Sequence, residues 1–106
     1  MPHKDIADLY AAAEPKGDAE KALVAAYWVQ QIKGSGDFDA ATINKELKHL
    51  GHGVGNITAA LGSLIARKPN LVIQTRKAGT SQQARKRYKL TTEGLKYVDN
   101  MIQSEE

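Results

Sequence analysis

The sequence predicts a mainly helical α+β fold, and three observations carry the prediction. Apolar residues recur at helical spacing in five segments. A short β-branched run, "LVIQT" at 71–75, follows the fourth of them. A basic run with alternating polarity, "ARKRYKL" at 84–90, then follows a polar stretch, "AGTSQQ" at 78–83, as the second strand of a hairpin follows its tip.

"DIADLYAAA" places Ile6, Leu9, Tyr10 and Ala13 one helical turn apart and predicts a short amphipathic helix. Pro15 and Gly17 break it. Asp18 is suited to N-cap a second helix over 19–33, with Glu20 in the first turn. Ala22, Leu23, Ala26, Tyr27, Val29 and Ile32 form its inward side, and "GSG" at 34–36 ends it. "DFD" leaves room only for a bridge of strand at Phe38. Asp39 can cap a helix over 40–50, with Ile43, Leu47 and Leu50 inward. The glycines of "GHGVG" at 51–55 require a turn. A helix over 56–68 follows, with Val54, Ile57, Leu61, Leu64 and Ile65 on one face and Pro69 and Asn70 as its stop. In the alternating run, Lys86, Tyr88 and Leu90 fall on one side and Arg85, Arg87 and Lys89 on the other. Thr91 caps a last helix over 92–102, striped by Leu95, Val98, Met101 and Ile102. The chain thus divides into an N-terminal extension (1–17), one domain (18–103) and a frayed tail (104–106).

Composition narrows the function. A chain of 106 residues suits one domain with its own core. The absence of Cys excludes thiol catalysis, disulfides and Cys-based zinc sites, and fits a reducing cytoplasm. No stretch approaches the roughly 20 apolar residues that span a bilayer, and "MPHKDIADLY" lacks a signal-peptide core, so no membrane association is expected. The net charge of +3 conceals a segregation. Residues 67–89 hold eight bases and no acid, whereas the rest of the chain sets seven bases against all twelve acids, a net of −5. Such a field steers anionic partners toward one end.

Two strings carry a family resemblance. "RKRYKLTTEGLKYV" joins a basic strand and an aromatic to a helix opened by Leu-Thr and containing Gly. "ATINKELKHLGHGVGNITAALGSLIARKPNLV" gives a short helix, a glycine turn, a longer helix and an apolar strand. From about Asp18 to Ile102 the chain resembles the winged helix-turn-helix DNA-binding domains of bacterial regulators of the MarR and ArsR sort. The resemblance implies a three-helix core, a β-hairpin wing and double-stranded DNA as partner. It implies a recognition helix at about 54–68 in the major groove and a wing at 76–89 on phosphates or the minor groove. The exposed side of that helix carries Gly55, Asn56, Ala59, Gly62, Ser63 and Ala66, where such regulators often show Arg, Gln or Ser.

On this reading His52, Asn56, Ala59, Ser63 and Arg67 form the helix and turn part of the interface. Asn56 is the best base reader, since Asn pairs bidentately with adenine, and Ala59 can meet a thymine methyl. Arg76, Lys77, Thr80, Ser81, Gln82, Arg85, Arg87 and Lys89 form the wing part. Like charges on neighbouring strands repel, and phosphates would relieve that repulsion while releasing counterions.

Other chemistry lacks its parts. His49 and His52 have the HxxH spacing, but no Cys or carboxylate set completes a zinc site, so no metal is expected. "GHGVG" lacks the Lys and Ser/Thr of a phosphate loop, and no cofactor is expected. Asp37 and Asp39 read as turn and cap, and no nucleophile–base–orienter set is visible, so no enzyme is expected. The alternatives to a small transcriptional regulator are a protein–protein module with an acidic partner and a sequence-independent architectural DNA binder. RNA binding ranks below them, because stacking aromatics are missing from the wing. The apolar stripes of the N-terminal and last helices are candidate homodimer faces, although for the last helix closing the monomer core is the first expectation.

Overall fold

The computed structural model describes residues 5–34, 36–75 and 86–103. They form a mainly helical α+β fold in the order α1 (Ile6–Ala13), α2 (Gly17–Tyr27), α3 (Ala40–His49), α4 (Ile57–Ala66), β1 (Val72–Gln74), β2 (Tyr88–Leu90) and α5 (Thr92–Gln103). A π-helical turn, Trp28–Ile32, extends α2. Among the described residues, no helix is long and apolar enough to cross a membrane.

α2 is the hub and touches α1, α3, α4, α5 and β2. Its inward side is lined by the fully buried Ala22, Leu23, Ala25 and Ala26. Phe38, Ile43, Leu47, Leu61, Leu64, Val72 and Val98 complete the core around it. Removing such side chains from water is the main force closing the fold. The expected faces of α3, α4 and α5 turn inward as the periodicity requires, with Leu50, Ile57, Ile65, Leu95, Met101 and Ile102 only partly covered.

The sheet is antiparallel, with Val72 opposite Leu90, Ile73 opposite Lys89 and Gln74 opposite Tyr88. Phe38 forms the expected bridge, exchanging both backbone hydrogen bonds with Tyr88 (3.0 and 2.8 Å). β2 therefore lies between β1 and Phe38. The next outward N–H of β2, that of Leu90, has no strand partner and donates to Gln30 Oε1 at 2.9 Å. The π-helical turn thus supplies a side chain where a strand would supply a carbonyl.

Two caps follow expectation. Asp39 accepts from Thr42 N at 2.8 Å and opens α3. Thr91 Oγ1 accepts from Gly94 N at 3.0 Å and opens α5. The cap of α2 does not. Gly17 takes a left-handed φ of 83° and turns the chain into the helix two residues early. Glu20 then reaches back to the Lys16 N–H at 2.8 Å, leaving Asp18 exposed in the first turn.

Gly94 explains itself by packing. A Cβ there would collide with the Leu71 carbonyl oxygen, so the start of α5 can lie directly on the exit from α4 only without a side chain. At the other end of the chain, α1 packs on α2 and α5. Leu9 and Ala13 join Val24 in a second apolar cluster flanked by Met101 and Ile102. The stripes of the first and last helices therefore meet each other within one chain.

Candidate nucleic-acid interface

α3, the turn and α4 form one unit. Asn44, inside α3, donates from Nδ2 to Val54 O (3.0 Å) and accepts from Val54 N at Oδ1 (2.9 Å). It satisfies both backbone groups of the residue that enters α4, as a strand neighbour would. His52 N donates to Leu47 O at 2.9 Å, closing the turn.

The His52 ring does not project alone. It stacks on Tyr10 of α1, with centroids 4.6 Å apart and planes 16° from parallel. Partial burial pushes the Tyr10 phenol above its ordinary pKa. The N-terminal segment thus touches the turn.

Asn56, expected as the best reader, is the N-cap of α4. Its Oδ1 accepts from Ala59 N at 3.0 Å. A bidentate pair with adenine needs that oxygen and the amide together, so the cap competes with the reading role. Thr58, Ala59, Gly62, Ser63 and Ala66 form the exposed side of α4. Ser63 Oγ donates back to Ala59 O at 3.2 Å and stays close to the helix. Gly62 has open space around it. Arg67 lies at the opposite end, its guanidinium 5.0 Å above the Tyr97 ring. Ten residues of helix separate it from Asn56, about 15 Å at the usual rise. Arg67 and Asn56 therefore do not form one patch.

Lys86, just before β2, and Lys89, on it, are exposed. Arg87 is not part of that outward set. It donates from Nη2 to Asp37 Oδ1 at 2.6 Å and from Nη1 to Asp39 Oδ2 at 3.5 Å. The hydrogen bond from Arg87 holds the Asp37 carboxyl below its ordinary pKa, and Asp37 raises that of Arg87 in turn. Arg87 thereby ties β2 to the start of α3. Expected as a wing contact on one face with Lys89, Arg87 is half-exposed and its charge is matched within the chain by Asp37 and Asp39. Arg76, Lys77, Thr80, Ser81, Gln82 and Arg85 lie outside the described residues.

A cavity of about 410 Å³ opens between the starts of α3 and α4 and the beginning of β2. Ala40, Ala41, Thr58, Lys86 and Tyr88 line it with Asp39. Lys86, expected on the Tyr88 face of the strand and not among the interface residues, is part of this lining. Asn44 also went unremarked. A poor helix former inside a short helix was the available signal for it.

Elsewhere, two phenols join the helices. Tyr27 donates to Asp99 Oδ1 at 2.9 Å, and burial together with that carboxylate pushes its pKa up to about 12. Tyr97 donates to Glu20 Oε2 at 2.7 Å, and its pKa is raised, chiefly by this bond and then by burial.

Comparison of the chain with models of known families, with curated proteins and with solved structures returned no match.

Proposed function

We propose that this chain is a winged helix-turn-helix domain that binds double-stranded DNA and serves as a small intracellular transcriptional regulator. α4 lies against the major groove, and the basic segment 76–89 lies on the backbone. The observation that carries the reading is the outer side of α4. It is built from Thr58, Ala59, Gly62, Ser63 and Ala66, with Lys86 exposed just before β2 and Lys89 exposed on it. A helix so thin on one side can sit deep against another surface, and the neighbouring cations suit phosphates. The order α2, Phe38 bridge, α3, turn, α4, β1, β2 supports the fold assignment. The sequence adds Arg76, Lys77 and Arg85 to the cations of the 76–89 segment.

One feature favours a sequence-tolerant mode of binding. The outer side of α4 offers few long donors or acceptors, and Asn56 Oδ1 already caps the helix. Affinity then comes mainly from phosphates, which carry little sequence information directly.

Fluorescence anisotropy with random-sequence duplex DNA, titrated at several salt concentrations, tests the reading. Micromolar binding that falls steeply with salt is expected. Lys89→Ala should lower the log–log salt slope by about 1. Absence of binding at low salt would refute DNA as the ligand and leave an acidic protein partner as the occupant of the basic segment.

A further inference from the structure

A second cavity, of about 290 Å³, lies where the end of α4 meets α5. Arg67, Lys68, Lys96, Tyr97 and Asn100 line it, with Glu93 as the single carboxylate. It sits at the base of the hairpin, because β1 leaves this end and β2 returns to it. Glu93, Lys96, Tyr97 and Asn100 fall at i, i+3, i+4 and i+7 and so share one face of α5. Among the described residues, Lys68 and Lys96 form no ion pair.

Arg67 is held in place rather than merely exposed. Its guanidinium lies over the Tyr97 ring, and the Tyr97 hydroxyl is fixed by Glu20 of α2. A guanidinium held over an aromatic face is oriented by it, and its N–H fork can donate to two oxygens of a phosphoryl group. Lys68 and Lys96 add point charges, and the Asn100 amide can donate. The volume is near the lower limit of small-molecule sites, about 300 Å³, and suits a compact ligand. Glu93 disfavours a bare polyanion but can accept from a hydroxyl group.

We propose that this cavity binds a small phosphate monoester bearing hydroxyl groups. The phosphoryl oxygens meet Arg67, Lys68 and Lys96. The hydroxylated part lies toward Glu93 and Asn100. The site lies at the C-terminal end of α4, a helix length from Asn56, and its ligand does not depend on the DNA reading.

Amide NMR of the full chain at fixed ionic strength tests the proposal, with ribose 5-phosphate as probe and inorganic phosphate and sodium chloride as comparators. Ribose 5-phosphate should give saturable shifts confined to residues 67–71 and 93–100, and inorganic phosphate weaker ones. Arg67→Lys keeps the charge but loses the guanidinium fork, and should weaken the probe about tenfold. Lys96→Gln, at an exposed position, should weaken it to a similar degree. No saturation by about 10 mM probe would overturn the site, as that leaves less than weak small-molecule affinity. So would shifts that sodium chloride reproduces or that spread equally to Lys86 and Lys89. Inorganic phosphate binding as tightly as the ester would overturn the monoester assignment. Duplex DNA displacing the probe from these residues would overturn the separation of the two surfaces. A chain that failed to bind DNA would leave all these readouts unchanged.

Discussion

α3 and α4 are both ten residues long, and both are opened by a side chain that caps the third residue after it. Both bury an apolar stripe. Their outer sides differ. α3 is wired to its surroundings: Asn44 grips Val54, Glu46 meets Lys33 at 3.3 Å, and Asp39 meets Arg87. α4 exposes Ala59, Gly62, Ser63 and Ala66, and the side-chain hydrogen bond made by this group, from Ser63 Oγ, returns to the helix's own backbone. α3 is thus the fixed frame and α4 the surface it presents. A helix held by its inner side and its ends keeps its outer side free for a partner.

The largest effect should come from breaking the anchor at the exit of α4. Leu71 N donates to Leu64 O, and the Leu71 carbonyl lies against Gly94. Gly94→Ala forces the start of α5 away from that carbonyl. Overpacking of this kind costs about 1–3 kcal/mol, and backbone rather than a flexible side chain must move here, so the upper end is expected. Urea denaturation reads it directly.

Next comes the grip of α3 on the turn. Asn44→Ala leaves the Val54 N–H and C=O without their partners and should cost about 2 kcal/mol. Asn44→Asp retains the acceptor for Val54 N but not the donor for Val54 O, so it should fall between wild type and Ala. An Asn44→Ala variant as stable as wild type would break the contrast between the two helices, because α3 would then hold the turn by packing alone.

The Arg87 cluster ranks third. Arg87→Ala removes one partner of the largely buried Asp39 carboxylate and the ion pair of Asp37, and should lower the thermal midpoint by a few degrees. The pH dependence has a definite sign. The folded pKa of Asp37 lies below its ordinary value. Its contribution is therefore present above the unfolded carboxylate pKa and lost as pH falls through the lower folded value. The gap between wild type and Arg87→Ala should close below about pH 4. A loss of DNA affinity without a loss of stability would instead return Arg87 to the phosphate-binding set.

Asn56 separates capping from reading. Asn56→Ala should cost about 1 kcal/mol of stability. Asn56→Asp keeps the cap acceptor and favours the helix N-terminus, so it should retain stability. It removes the amide donor. If Asn56 reads a base, the Asp variant alone changes preference among DNA sequences while remaining folded.

These contrasts also mark what the sequence disclosed. Helical spacing in each segment reports burial, so five helices and their inward faces were legible. Phe38 was legible as a bridge because a lone apolar residue lies between a glycine stop and a cap. The left-handed entry at Gly17 was not, since a glycine beside an Asp reads as an ordinary break before a cap. The role of Arg87 was hidden by distance along the chain. Alternation assigns a strand residue to a side, but Asp37 lies 50 residues away and only the Phe38–Tyr88 bridge brings it near. Asn56 was legible only as an adenine partner, and its role as the cap of α4 comes from the Ala59 N–H that its Oδ1 accepts.

The smallest expected effect bears most directly on the bare side of α4. Gly62 is exposed in a helix interior, with nothing near the position a Cβ would take. Gly62→Ala should therefore stabilise the chain by about 0.5–1 kcal/mol, because the unfolded chain loses freedom and no contact is disturbed. If α4 rests against DNA at this position, the added methyl pushes the surfaces apart. The variant then melts at a higher temperature yet binds DNA more weakly. That opposition cannot come from damage to the fold. A variant that is both more stable and equally tight would move the contact off α4 and onto the basic segment alone, and the thin outer side of the helix would need another occupant.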